Sequence, residues 1–200
     1  MTSEYGIFKD NLDKYLSDTN KRNRPIDVCT TPKSLLAIGA KNLPVVMNPN
    51  DIDKCLASRE ANKNKNSHNL SVDELTKLPE LIADPMMIFK GQKEGYITVV
   101  TDVLDQNGNP FVVGVELDIQ EKNHRVNRIA SMHGRERASK NFIASNGKEV
   151  KGFIPRNIEE GNIISLNKEK ATNFLRSTGL QLPEGKEFAT SENIITDISE

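Results

Sequence analysis

Three histidines, a serine and a scatter of cations are the residues of this chain that could move a proton or hold an anion. Imidazole exchanges a proton near pH 6.5, so His68, His124 and His133 can each serve as acid or base without a cofactor. The segment RVNRIASMH (125–133) alternates as a strand does. On such a strand Asn127, Ile129, Ser131 and His133 point one way, and Val126, Arg128, Ala130 and Met132 the other. Three hydrogen-bonding side chains on one face exceed what packing needs, and Arg135 follows just beyond. The candidate proton-transfer and transition-state group is therefore His68, Ser131, His133 and Arg135. Lys54, Lys90, Arg125 and Asn127 are the candidate binding residues around it. Each has a plainer alternative. A single histidine is more often a surface or packed residue, Lys54 suits a helix ion pair, Arg125 can pair with Asp118 or Glu121, and Ser131 can satisfy a backbone group.

The elements that must position these residues are legible from periodicity. Residues 3–17 read as a helix with Ile7, Phe8, Leu12, Tyr15 and Leu16 on one side, and KRNRP (21–25) breaks it. Thr31-Pro32 predicts a capped helix start, Gly39 a stop, and LPVVM (43–47) a short strand. A second helix carries Ile52, Cys55 and Leu56, and residues 57–69 form a polar loop that ends beside His68. Ser71 and Glu74 make a capping box, and Pro79 divides the helix that follows. Four strands come next: 86–90, 96–104, 110–119 and 125–133. Asn107-Gly108 predicts a two-residue type I′ turn, which pairs Leu104 with Phe111, Val100 with Val115 and Tyr96 with Ile119. That register puts Tyr96, Thr98, Val100 and Asp102 with Phe111, Val113 and Val115 on a helix-covered face, and a one-residue slip would exchange the faces. SKNFIA (139–144) reads as a helical turn, ISL (164–166) as a strand, and Asn167 as the cap of a helix through Arg176.

The totals bound the partners. Twenty-seven Lys+Arg against 28 Asp+Glu give a net charge of −1, which is not the broad basic field of a protein gripping duplex DNA. A site for one phosphodiester needs only two or three cations. Cys29 and Cys55 form no disulfide framework, and no Cys/His spacing points to a metal. No apolar run approaches a membrane span, the first residues lack a leader's apolar stretch, and the cytoplasm is the default compartment. The expected organisation is an N-terminal helix and linker (1–25), one α+β domain (26–183) and a flexible tail (184–200). Within the domain, helices pack on one face of a four- to five-stranded antiparallel meander, with a C-terminal helix.

The order of the blocks TPKSLLAIGAKNLPVVM, LTKLPELIADPMMIFKG, VNRIASMHGRE and NIISLNKEKATNFLRSTGLQLP resembles the MuF C-terminal-type domain of phage minor-capsid fusions and mobile-element polyvalent proteins. The resemblance covers residues 26–183, and Lys54 falls where that family has a helix lysine. The family pattern more commonly has a tyrosine where this chain has His133. The resemblance implies kinship with the barnase–EndoU–colicin–RelE group of metal-independent ribonucleases, which carry the active site on the sheet face away from the N-terminal helices. It thus implies a phage or mobile-element effector cleaving RNA by acid/base chemistry, with neither cofactor nor metal. RNA would be the substrate and an immunity protein a partner. In that chemistry the ribose 2′-hydroxyl attacks, one group takes its proton, another protonates the leaving oxygen, and cations hold the phosphorane. The competing reading is a binding or structural module that keeps the fold without the chemistry. ADP-ribosyl transfer ranks last, because no glycine-rich phosphate loop is present.

Overall fold

Alternating residues between Met86 and His133 build the centre of a seven-stranded sheet in the computed structural model, which describes residues 4–18, 24–57, 68–139, 141–143 and 147–176. In chain order the elements begin with α1 (Glu4–Ser17), β1 (Ile26–Cys29), α2 (Lys33–Leu36), β2 (Val45–Met47) and α3 (Pro49–Leu56). They continue with α4 (Val72–Thr76), α5 (Leu78–Ala83), β3 (Met87–Lys90), β4 (Tyr96–Leu104), β5 (Pro110–Glu121) and β6 (His124–Gly134). The last are β7 (Phe142–Ile143), β8 (Glu149–Val150), α6 (Phe153–Glu159), β9 (Ile163–Leu166) and α7 (Lys168–Arg176). The α+β class and the β3–β4–β5–β6 meander agree with the sequence pattern. The sheet is larger than four or five strands because β1, β2 and β9 join its edges in the order β1-β2-β6-β5-β4-β3-β9. Among the described residues only β2 and β6 pair in parallel.

Local signals explain most of the boundaries. The Ser71 side chain accepts from the Glu74 N–H at 3.1 Å, and a Glu74 carboxylate oxygen accepts from the Ser71 N–H at 2.8 Å. The other oxygen of that carboxylate accepts from Gln106 N–H at 3.2 Å, so one side chain caps α4 and holds the β4–β5 turn. Pro79 lies in the first turn of α5, and Asn167 caps α7 by accepting from Lys170 N–H. Gly39 ends the α2 turn with φ +85°. Thr31 does not cap α2. Its hydroxyl donates to the Leu43 carbonyl instead, and α2 starts behind Pro32 without a side-chain cap. Within SKNFIA, Phe142–Ile143 is a strand paired with β8 rather than a helical turn. Most of the 57–69 loop and the whole 184–200 tail lie outside the described residues.

The turn at Asn107-Gly108 forms, but not as type I′. Only Gly108 has positive φ (+77°), and Asp105 and Asn109 close a three-residue loop through a 2.8 Å backbone bond. The Asp105 carboxylate accepts from the N–H groups of Asn107 and Asn109, both at 2.8 Å, which favours this longer turn. Leu104 then pairs with Pro110, and an irregularity before it brings Val100 opposite Val112, Val99 opposite Val113 and Tyr96 opposite Glu116. The body of β4 is thus three residues from the type I′ register. Three is odd, so the faces of β4 exchange.

Two apolar layers result. Ile97, Val99, Val113, Val115, Ile129 and Met132 pack beneath α1–α5, with Phe8, Leu12 and Leu75 fully buried among them. Full burial of each large side chain contributes about 1.5–3 kcal/mol. On the other face Met87, Phe89, Val100 and Val112 pack under α6 and α7. This second layer covers only part of that face.

Candidate functional site

The uncovered part of the second face collects the polar residues. Two irregularities in the β5–β6 pair decide which ones. Val115 pairs with Ile129 but Gly114 pairs with Ser131, so Ala130 is an extra residue in β6. Before it, Asn127 and Ile129 face the N-terminal helices. After it, Ser131 and His133 lie on the side of Gly114 and Val112, and Arg135 follows. An unbroken strand would have kept Asn127 with Ser131 and His133, as its alternation predicts. The second irregularity adds a residue to β5 at Asp118, whose φ is +52°.

Asn127 fills that notch. It is fully buried, its Oδ1 accepts from Asp118 N–H at 2.9 Å, and its Nδ2 donates to the Thr31 hydroxyl and the Lys41 carbonyl. These bonds occupy the side chain away from solvent, so Asn127 is a structural junction rather than a substrate contact. Arg125 and Lys41 both pair with Asp118. Those contacts, Arg125 first, hold the Asp118 carboxyl down at about 2. The Lys54 ammonium pairs with Asp51 at 3.1 Å, one turn back on α3. For Lys54 and Arg125 the plainer alternative describes the geometry.

Two of the other candidates, His68 and His133, are in contact. His68 enters from the segment after α3, its N–H bonded to the Lys54 carbonyl, and its ring stacks on His133 with centroids 4.5 Å apart. Beside this pair is a small hollow of about 90 Å³, lined in part by His68, Glu74, Asp105 and Glu136. Gly134 sits against the Asp105 carboxylate so closely that a β-carbon there would overlap it. Arg135 lies over the Phe153 ring, 4.8 Å from its centroid, a cation–π contact. Burial, and then the nearby Arg156 guanidinium, lower the pKa of Arg135 from its ordinary value. Two guanidiniums in one place are stabilised by an anion between them.

Phe153 and Arg156 belong to α6 and open onto a cleft of about 690 Å³ against the end of β3 and the start of β4. Lys90, Lys93, Tyr96 and Thr98 line its other wall. Of the sequence candidates, Lys90 is the one that reaches it. Tyr96 and Arg156 are functional candidates that the pattern does not reveal. The type I′ register puts Tyr96 on the wrong face, and α6, with Pro155 in its first turn, is too short for a clear apolar period. Asp102 and Lys170 form an ion pair at the far end of this face.

Among the described residues, no group of three or more His, Cys, Asp or Glu side chains is placed to hold a metal ion. No described helix is long and apolar enough to cross a membrane. No curated protein and no solved structure matches the chain. The model of the phage MuF C-terminal domain matches residues 59–173, a narrower span than the 26–183 of the sequence resemblance but more than half of the chain. That span runs from before α4 into α7 and contains every strand of the meander, so the chain belongs to the phage MuF C-terminal domain family.

Proposed function

We propose that this phage domain is an effector that cleaves RNA at the open face of its sheet by metal-independent acid/base catalysis. The observation that carries this reading is the contact between His68 and His133, which come from segments 65 positions apart in sequence. One imidazole takes the proton of the attacking 2′-hydroxyl and the other protonates the leaving oxygen. Two adjacent rings suit that division, because the reaction needs one group to accept a proton and another to give one. Arg135 lies two residues from His133 and, with Arg156 beside it, supplies positive charge for the phosphorane. Ser131, on the same side of β6, is a further donor.

A second reading has an observation in its favour. Lys54, Arg125 and Arg128 are tied up by Asp51, Asp118 and Glu116, which leaves fewer cations for a long polyanion and suits a binding or structural module without chemistry. Incubation of the purified chain with bacterial RNA in excess chelator separates the two, alongside induced expression in a bacterial host. The nuclease reading expects RNA cleavage and arrested growth, with either effect cut about 10²–10⁴-fold by His133→Ala or His68→Ala. Intact RNA and unimpaired growth with all three chains would favour the module.

A further inference from the structure

The ring of Tyr96 lies along the sheet rather than standing up from it. Its Cδ1 edge is against Gly91 and its hydroxyl is over Gly114, next to the Ser131 hydroxyl. A β-carbon at either glycine would overlap the tyrosine, so two missing side chains make the seat for one ring. The ring is half-buried and its remaining surface lines the 690 Å³ cleft, a volume within the ~300–1,000 Å³ range of small-ligand sites. Phe153 stands across the cleft, fixed edge-on against Phe89 at 5.8 Å. Lys90, Lys93 and Arg156 surround the two rings, against Glu160 as the carboxylate of the lining. Among the described residues these three cations form no ion pair, in contrast to Lys41, Lys54, Arg125 and Arg128.

We infer that the cleft is a nucleotide-binding subsite, in which a base stacks on the exposed side of the Tyr96 ring and the adjoining phosphate is held by Lys90, Lys93 and Arg156. A flat aromatic surface accepts any base through its π-face, and the cations supply the sequence-independent attraction to phosphate. The subsite deepens the RNA-cleaving reading, on which it rests for taking the nucleotide as one residue of a strand that continues toward Ser131 and His133. Tyr96 acts here as a binding residue, not a catalytic one.

Calorimetric titration of the full chain with adenosine 5′-monophosphate, inorganic phosphate and an adenylate tetraribonucleotide tests the assignment. The monophosphate is expected to bind about tenfold or more tighter than phosphate, with the excess due to stacking. Tyr96→Phe keeps that margin, Tyr96→Leu removes it, and Arg156→Ala weakens both ligands. Equal affinity for the monophosphate and phosphate overturns the subsite, as does a folded Tyr96→Leu chain that binds the monophosphate unchanged. If Tyr96→Leu fails to fold by circular dichroism, the ligand comparison on the unaltered chain decides alone. Tetranucleotide binding tighter than the monophosphate identifies a residue of a strand, and the reverse order a free nucleotide. The monophosphate has no internucleotide bond to cut. Binding without RNA cleavage therefore sinks only the nuclease reading, while cleavage without a monophosphate preference sinks only the subsite.

Discussion

The imidazole rings of His68 and His133 lie face to face, their planes 17° from parallel and their centroids 4.5 Å apart. This contact joins the segment after α3 to the end of β6, so a substitution there tests packing and chemistry together unless the two are separated. His133→Phe separates them, because it keeps a stacking ring and removes the proton. The expected result is RNA cleavage reduced by about 10²–10⁴-fold with little change in melting temperature. Cleavage at the wild-type rate in His133→Phe would mean that the ring only packs.

Asn127 leads to the opposite expectation. Replacing it with Ala leaves the Asp118 N–H without its buried acceptor and the Lys41 carbonyl with only the longer 3.3 Å contact to the Thr31 hydroxyl. Each such loss costs about 1–3 kcal/mol, so denaturant unfolding should move to clearly lower concentrations. Affinity for adenosine monophosphate should not change, since the residue faces away from the cleft. A stable Asn127→Ala chain with weakened nucleotide binding would reverse the two roles.

Asp118 offers a pH signature. Arg125 and Lys41 lower its folded pKa to about 2, below the ~3.9 of an unfolded aspartate. A depressed carboxyl stabilises the fold fully above its unfolded value, and that contribution disappears as pH falls through the window between ~3.9 and ~2. Asp118→Asn is the suitable comparison, because asparagine tolerates the positive φ and removes only the charge. Melting temperatures of the two chains should differ near neutrality and converge toward pH ~2. A constant gap across that range would remove the ion pair as its cause.

The cysteines should be quiet. Burial pushes both thiols up to about 12, with Cys55 fully enclosed beside the Met132 carbonyl. Thiolate is the reactive form, so alkylation by iodoacetamide near pH 8 should be slow in the folded chain and fast after denaturation. Mass spectrometry reads the outcome for each residue. Rapid native labelling of Cys55 would mean that α3 lifts readily from β6.

The sequence patterns that could be read were those with one local cause. Ser71 with Glu74, Pro79, Asn167 and the four long strands each follow from capping, proline geometry or alternation. The site was harder because its layout depends on residues that do not alternate. Asp105 selects a three-residue turn over the type I′ turn that Asn-Gly favours, and this carries Tyr96 to the open face. Nothing near Tyr96 in sequence announces that change. His68 and His133 both stand out by chemistry, but their contact requires α3, β2 and β6 to be assembled first. Lys54 and Arg125 were ambiguous for a related reason, since whether a cation is spent on a neighbour depends on three-dimensional company.

The extra residue at Ala130 has a consequence for how this strand can change by descent. Odd-numbered positions before it serve one side of the sheet, and odd-numbered positions after it serve the other. Deleting Ala130 would join Ile129 to Ser131 and leave every side chain on its present side, with only a local change of twist. Smoothing the strand at full length would instead send Ser131 and His133 under the helices and bring Met132 out. In this stretch a gap in an alignment is the mild event, and an ungapped match can conceal an inverted strand.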